Sequence, residues 1–209
     1  MNRIFRLLLL FPLLLAGCGG EQPAASAPAA VSASAEALQG TDMRQEKEHI
    51  GGDFTLTDGS GKPFTLSSLK GKAVILAFGF THCPDVCPTE LVSYNDALKQ
   101  LGAQARDVAV VFVSVDTERD HPELIGKYVA QFNPDFIGLT ATGDQQIALV
   151  KQQYRIVSAK TEIKSDTAYN IDHTSGAYLL DKEGNVAAFE PYGADAAQIA
   201  HDLRILLKS

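Results

Sequence analysis

The chain has 209 residues with 18 basic and 25 acidic side chains, and its net charge is −7 with neutral histidines. If an N-terminal export signal containing Arg3 and Arg6 is removed, 16 basic side chains remain and the net charge becomes −9. Such an acidic chain is not expected to bind nucleic acid, and it offers no basic patch for anionic lipid headgroups. Roughly 160 residues follow Gly51, enough for one domain with a hydrophobic core.

Residues 1–17 are predicted to be a lipoprotein signal peptide. Arg3 and Arg6 precede an apolar run, residues 7–16, that is too short to span a bilayer as a mature helix. The run ends in "LAGC", which resembles the lipobox of bacterial lipoproteins, so Cys18 would be the lipidated N-terminus of the mature chain. The alternative is ordinary cleavage after small residues, which would leave Cys18 as a free thiol in an oxidising compartment. We expect a membrane-anchored lipoprotein that faces the periplasm.

Residues 18–50 are rich in Ala, Ser, Pro and Gly and cannot bury a core, so they are predicted to form a tether. Residues 51–209 then form the domain, in which we find no internal repeat and no second linker.

The first half of this domain reads as a hairpin followed by a strand, a helix and a strand. Short strands flank the turn at 58–61, and the apolar runs 73–80 and 107–116 are typical of strands buried on both faces. Between these runs, Leu91, Tyr94, Leu98 and Leu101 recur at helical spacing. Two buried strands joined by a helix predict a βαβ unit with a parallel pair.

The second half predicts a helix over 122–132, a strand near 136–140, a helix over 144–154, a hairpin around the turn at 182–185 and a closing helix over 195–207. A βαβ half followed by a ββα half is the thioredoxin-like plan. The fold class is therefore α/β, with a mixed central sheet flanked by helices and an N-terminal β-hairpin. Chemistry in open α/β sheets gathers at the carboxyl ends of strands, where this plan places the segment "FTHCPDVCPTEL".

That segment carries Cys83 and Cys87 at the start of a predicted helix, which stabilises thiolate over thiol. Thiolate both attacks disulfides and binds metal. A structural disulfide here would close a very small loop and constrain little of the unfolded chain. Two thiolates and one imidazole suit Cu(I), so a nearby histidine would favour a metal site.

Of the five histidines, His173 is the one that the predicted fold brings to the cysteines, because it directly precedes the strand expected beside the central one. His49 and His201 are expected on the surface and His121 in a turn. His82 adjoins Cys83 but is expected to point to the other side of the segment.

Four acidic residues near the predicted site are not expected to be its main metal ligands. Asp85 and Asp172 could be weak extra ligands for Cu(II) or partners of an imidazole, but solvated loop carboxylates are the simpler interpretation. Asp116 and Asp120 are expected to cap the next helix or to bind the loop backbone.

With "GFTHCPDVCPTEL", "VSVDTERD" and "DHTSGAYLLD" in this order, the chain resembles the SCO/SenC family of copper chaperones over essentially all of residues 51–209. The resemblance implies a thioredoxin-like domain that binds copper, as Cu(I) and Cu(II), through Cys83, Cys87 and His173. It also implies delivery of copper to the CuA centre of cytochrome c oxidase subunit II, or reduction of that subunit's cysteines. A monomer is expected.

Two alternatives use the same cysteines. A thiol:disulfide oxidoreductase or peroxidase would use Cys83 as the attacking thiolate and Cys87 as the resolving thiol, and a copper-responsive redox sensor would differ only in its partners. No proline occurs between Pro134 and Pro191, so the proline that thioredoxin places against its dithiol is absent. His173 occupies about that place.

Overall fold

The computed structural model describes residues 37–46 and 49–208. These residues form an eight-stranded mixed sheet, a separate two-stranded sheet and four α-helices. The strands are β1 (Thr41–Asp42), β2 (Thr55–Asp58), β3 (Pro63–Thr65), β4 (Ala73–Gly79), β5 (Val108–Ser114), β6 (Ile137–Thr140), β7 (Ser158–Thr161), β8 (Asn170–His173), β9 (Gly176–Leu180) and β10 (Val186–Pro191). The helices are α1 (Val86–Leu101), α2 (Pro122–Ala130), α3 (Asp144–Gln153) and α4 (Ala196–Lys208).

The centre of the large sheet is built from the two continuously apolar segments. All seven residues of β4 and all seven of β5 are buried, as expected for strands covered on both faces. The strand order is β1-β10-β9-β4-β5-β6-β2-β3, in which β4 runs parallel to β5 and β5 parallel to β6. Strand β9 pairs antiparallel with β4 on its other side. The end of β4 and the beginning of β9 therefore lie together.

The predicted thioredoxin-like plan is confirmed. The unit β4-α1-β5 is the βαβ half, and β9-β10-α4 is the ββα half, with α1 and α4 packed against each other. The N-terminal hairpin is β2–β3, joined by the turn at 58–61. Helix α1 buries Cys87, Leu91, Tyr94 and Leu101 along one stripe, which fixes the helix against the sheet.

The two-stranded sheet β7–β8 was not predicted. Each strand has four residues, and their side chains are mostly polar and partly exposed, so no apolar alternation marks them. The pairing Ser158↔His173 holds the last residue of β8, which lies three residues before the beginning of β9.

Part of the predicted tether also packs on the domain. Thr41 and Asp42 pair with β10, and the backbone amides of Gln39 and Gly40 donate to the buried carboxylate of Asp202. The folded region therefore begins before Gly51, where composition predicted the boundary. Composition could not predict these contacts, because they are made by backbone amides. The predicted signal peptide and Cys18 lie outside the described residues. No helix within 37–46 and 49–208 is long and apolar enough to cross a bilayer.

Candidate metal centre

The residues from Phe80 to Cys87, called here the cysteine segment, link the end of β4 to the first turn of α1. Cys83 is half-buried in the loop, whereas Cys87 is buried within α1. The backbone N–H of Cys87 donates to Cys83 Sγ at 3.4 Å, so the helix start directs a donor at this sulfur. Both side chains are free thiols in the structure.

His173 approaches the cysteines from the opposite direction, at the end of β8. Its Nδ1 lies 2.9 Å from the carbonyl oxygen of Thr174. A carbonyl oxygen can only accept a hydrogen bond, so Nδ1 carries the proton and Nε2 is left facing the sulfurs. Nε2 is 3.5 Å from Cys87 Sγ. The imidazole also packs edge-on against Phe80, with ring centroids 5.9 Å apart.

The ligand atoms of Cys83, Cys87 and His173 all lie within 4.8 Å of one another. Two ligand atoms that each lie about 2.3 Å from a shared metal ion are at most about 4.6 Å apart. Very small side-chain movements would therefore allow these three residues to bind one metal ion. Among the residues that the structure describes, this is the one group of three or more histidine, cysteine or acidic side chains with that spacing.

The two thiols differ strongly in their affinity for a proton. Hydrogen bonding from the Cys87 side chain, with smaller contributions from His173 and the Cys87 and Asp85 backbone amides, outweighs burial and lowers the pKa of Cys83 to about 4. The same hydrogen bond to Cys83 raises the pKa of Cys87 far above its ordinary value, and burial adds to that effect. The surroundings therefore favour the thiolate at Cys83 and the protonated thiol at Cys87.

His173 and Glu90 complete the electrostatics. Burial alone would lower the pKa of His173, but its hydrogen bonds with Cys83 and the Thr174 carbonyl, together with the charges of Cys83 and Glu90, raise it overall. Burial raises the pKa of Glu90 to about 7. Glu90 is buried and its Oε2 has no hydrogen-bond partner.

An open cavity of about 310 Å³ leads to the cluster. Cys83 and His173 line it, together with Pro84, Asp85, Val86, Asn170, Ile171, Asp172 and Ser175. Cys87 does not line the cavity and lies beneath the other two. A partner that enters here therefore meets Cys83 and His173 first.

The other histidines lie elsewhere, as expected. His82 adjoins the cysteines, but its Nδ1 is 3.0 Å from Thr81 Oγ1 and 3.7 Å from Asp120 Oδ1, and it does not join the cluster. His121 is the N-cap residue of α2, and its side chain accepts from the Leu124 backbone N–H. His201 is on α4 beside the Ala37 carbonyl oxygen, and His49 is exposed.

The carboxylates divide into two groups. Asp85 and Asp172 are exposed loop or strand residues that line the cavity without joining the cluster. Asp116 and Asp120 are buried, at 2% and 1% exposure. Asp120 accepts from the Thr81 backbone N–H, which confirms the expected role in binding loop backbone, whereas the cap of α2 is His121.

Two residues that shape the site were missed by sequence reasoning. Gly79 ends β4 directly beneath the pair, and an added Cβ would lie only 2.7 Å from Cys87 Sγ and 2.6 Å from Phe112 Cζ. Glu90 is buried, and the charge of His173 acts on its carboxyl group. Its position three residues after Cys87, on the same face of α1, was the available signal.

The protein is therefore a thioredoxin-like domain that gathers two cysteines and a histidine at the carboxyl end of its central strand. Comparison with known proteins identifies its family. The SCO1/SenC family model matches residues 42–208, so the chain belongs to the SCO1/SenC family.

Three relatives illustrate the match. The mitochondrial protein SCO2 of Saccharomyces cerevisiae is 41% identical over 136 residues, which are 65% of this chain and 45% of that protein. An SCO2-like protein of Rickettsia prowazekii is 38% identical over 68% of this chain and 70% of its own length. The solved structure of Bradyrhizobium japonicum ScoI with copper bound is 41% identical, with a TM-score of 0.68 over 74% of this chain and 98% of that one. The chain thus spans under half the length of the yeast relative.

Proposed function

We propose that this protein binds one copper ion through Cys83, Cys87 and His173 and transfers it to an acceptor protein. The observation that supports this most directly is the convergence of three ligand atoms within 4.8 Å. Two soft sulfurs and one imidazole nitrogen are the donor set that suits Cu(I), and the nitrogen also serves Cu(II). The similar ScoI of Bradyrhizobium japonicum has been solved with copper bound.

The residues are arranged for loading and release of a metal cargo. The Thr174 carbonyl holds the Nδ1 proton of His173 and so leaves Nε2 free to coordinate. Cys83 offers a ready thiolate, whereas Cys87 must lose its proton when copper arrives. Because Cys83 and His173 line the open cavity, an acceptor's ligands reach these two first and can exchange for them one at a time.

The acceptor we propose is the CuA site of cytochrome c oxidase subunit II, to which the protein delivers copper or whose cysteines it keeps reduced. We also propose that Cys18 carries a lipid and that the chain before the domain tethers it to the periplasmic face of a membrane. Cys18→Ala should abolish membrane partition and acyl mass on the N-terminal peptide. Wild-type protein recovered without membrane association and with an unmodified Cys18 would contradict the anchor.

The acceptor is tested by mixing copper-loaded protein with the metal-free soluble fragment of subunit II and following the absorption bands of the CuA centre. Transfer should require both cysteines of the donor. A subunit II fragment that gains copper equally from Cys83→Ser protein would exclude this route.

A second candidate function, thiol:disulfide exchange, is supported by the unequal pKa values of the pair. A half-buried cysteine with a pKa of about 4 beside a buried thiol that keeps its proton is the arrangement of an attacking and a resolving thiol. Both candidates need Cys83 and Cys87, but only the metal site needs an imidazole nitrogen.

The copper site is tested by competition for Cu(I) against a chromogenic chelator. Cys83→Ser and Cys87→Ser should abolish tight binding, and His173→Ala should weaken it and alter the absorption and EPR spectra of the Cu(II) form. His201→Ala is the matched control, since His201 lies on α4 and does not join the cluster. If His173→Ala retained wild-type copper binding and spectrum, His173 would not be a ligand and the proposed three-residue site would be wrong. Unchanged disulfide-reduction activity in the same variant would then favour the oxidoreductase function.

A further inference from the structure

The loop between β5 and α2, residues 115–121, contacts both halves of the metal centre without contributing a ligand. It is called here the clamp loop. Its own shape is fixed by two hydrogen bonds: the backbone N–H of Asp120 donates to the Asp116 carbonyl at 2.9 Å, and the Asp116 N–H donates to Ser114 Oγ at 3.0 Å. Because these bonds hold the loop to the end of β5, the groups that its side chains bind are held in a fixed position relative to β5.

One arm of the clamp loop is Asp120, which holds the cysteine segment. Its carboxylate accepts from the Thr81 backbone N–H at 2.8 Å, from Thr81 Oγ1 at 2.5 Å and from Ser114 Oγ at 2.6 Å. Thr81 lies two residues before Cys83, and Ser114 ends β5. A buried carboxylate with three donors is a strong anchor, because an unpaired buried charge would cost far more. Asp120 therefore ties the beginning of the cysteine segment to the end of β5.

The other arm is Arg119, whose side chain is only 9% exposed. Its Nε donates to Asp116 Oδ2 at 2.5 Å, and its Nη1 donates to the carbonyl oxygen of Tyr169 at 2.8 Å. The guanidinium lies 3.6 Å from the centroid of the Tyr169 ring, and the Tyr169 hydroxyl donates to Asp116 Oδ1 at 2.7 Å. Arg119, Asp116 and Tyr169 thus contact one another in a closed ring, and Tyr169 is the residue just before β8.

Strand β8 ends in His173, so what holds its first end contributes to the position of the imidazole. The strand has four residues, and its described ladder partner is the short and partly exposed β7. Such a two-stranded unit is marginal without packing against the rest of the domain. The contacts of Arg119 and Asp116 with Tyr169 supply an attachment four residues before His173.

We propose that the clamp loop positions the two halves of the copper centre separately: Asp120 positions the cysteine segment, and Arg119 with Asp116 positions β8 and His173. Adjacent residues of one loop thereby set the distance between the sulfurs and the imidazole nitrogen. The residues act through Thr81, Tyr169 and Phe80, whose ring lies 5.8 Å from the Arg119 guanidinium and packs edge-on against His173. They touch no ligand atom, so they are positioning residues. This inference rests on the proposed copper site.

The test is a mutant cycle with His173→Ala, read by Cu(I) competition against a chelator. Arg119→Gln and Asp120→Asn should each weaken copper binding about 10- to 100-fold, the usual effect of losing a group that orients a ligand. In the His173→Ala background Arg119→Gln should cost less than about twofold more, because the ligand that it orients is gone. Asp120→Asn should retain its full effect there, since it acts through the cysteines.

Two milder variants keep the test valid if either charged residue proves necessary for folding. Tyr169→Phe removes only the hydroxyl that binds Asp116, and Thr81→Val removes only the hydroxyl that binds Asp120. We expect several-fold losses with the same dependence on His173. In metal-free protein, Tyr169→Phe should shift the imidazole NMR signals of His173, whereas Thr81→Val should change the alkylation rate of Cys83.

The control is Arg204→Gln, which removes an arginine that donates to the Gln100 carbonyl near the far end of α1. It should leave copper affinity unchanged. Equal losses for Arg119→Gln with and without His173 would indicate general destabilisation and overturn the proposal, and so would the absence of any loss. The proposed copper site itself fails if Cys83→Ser or His173→Ala binds copper as the wild-type protein does, so the two failures are distinguishable.

Discussion

Alkylation of Cys83 in reduced, metal-free protein should proceed at a rate that hardly changes between about pH 6 and pH 8. The pKa of Cys83 is lowered to about 4, so this residue is already thiolate across the whole window. A lowered pKa keeps the charged form until the pH falls to near that value. An ordinary thiol, with a pKa of 9.0, would instead react about tenfold faster for each pH unit in the same range.

The expected size of the effect follows from two opposing factors. At pH 6 an ordinary thiol is about 0.1% thiolate, so Cys83 has roughly a thousandfold more of the reactive form. Its intrinsic nucleophilicity is lower by about 100- to 300-fold, because nucleophilicity falls with pKa at a Brønsted slope of about 0.4–0.5. Cys83 should therefore react several-fold faster than a free thiol at pH 6 and about 100-fold more slowly at pH 9.

Variants assign the cause of the lowered pKa. Cys87→Ala removes the hydrogen bond that contributes most, so the pKa of Cys83 should rise furthest in this variant. Cys87→Ser retains an O–H donor and should give a smaller rise. His173→Ala removes a lesser contribution and should rank below Cys87→Ala. His201→Ala, on α4, should leave the profile unchanged.

The assay is alkylation by iodoacetamide, quenched over time and read by mass spectrometry of the peptide that contains Cys83, which separates it from Cys18 and Cys87. A wild-type rate that climbs tenfold per pH unit between pH 6 and pH 8 would refute the lowered pKa. A flat profile that survives in Cys87→Ala would refute the hydrogen bond from Cys87 as its main cause.

Three further predictions concern packing and pH. Gly79→Ala should cost about 1–3 kcal/mol in urea unfolding and weaken copper binding, because its Cβ would lie 2.7 Å from Cys87 Sγ. Gly143→Ala, whose Cβ would meet no atom within 4 Å, is the control for copper binding and should leave it unchanged. Burial, with the hydrogen bond to Asp202, raises the pKa of Glu190, so the folded state keeps this proton to higher pH than the unfolded state, and wild-type stability should fall relative to Glu190→Gln as the pH rises above about 4.5. Parallel stability–pH curves for the two proteins would contradict this. Gly40→Ala should destabilise the segment on β10 and speed its amide exchange, since its Cβ would lie 2.7 Å from the Glu190 carboxylate; unchanged exchange at Thr41 and Asp42 would show that the contact is not needed.

The parts of the fold that could be predicted are those with a strong periodic signal. The apolar runs of β4 and β5 have no polar residue before Ser114, and residues 73–79 and 108–114 are observed as strands almost where they were expected. Turns that contain glycine predicted both hairpins of the large sheet, β2–β3 and β9–β10. These signals are local, so one sequence is sufficient to read them.

The parts that could not be predicted depend on contacts between distant segments. Strands β7 and β8 are short and polar, and they are attached by Arg119, whose partner Tyr169 lies 50 residues away. The docking of Gln39 on Asp202 spans 163 residues. In both cases a charged side chain binds backbone groups, and such a contact leaves no pattern of hydrophobicity in the sequence. His173 was found because the predicted strand that follows it had to pair beside β4.

The unequal thiols explain how one pair of cysteines can serve both proposed chemistries. Copper needs both sulfurs as thiolates, so loading displaces the proton that Cys87 holds in the metal-free protein. While copper is bound, Cys83 is a ligand and is not free to attack a disulfide. When copper leaves, the proton returns to Cys87 and the pair again consists of an attacking thiolate and a buried resolving thiol. In the proposed function copper binding and thiol reduction therefore exclude each other at one site. Reduction of a partner's disulfide would leave a Cys83–Cys87 disulfide, which an external thiol must reduce before copper can bind again. His173 is the residue whose removal should separate them, because it supplies a metal ligand but no sulfur.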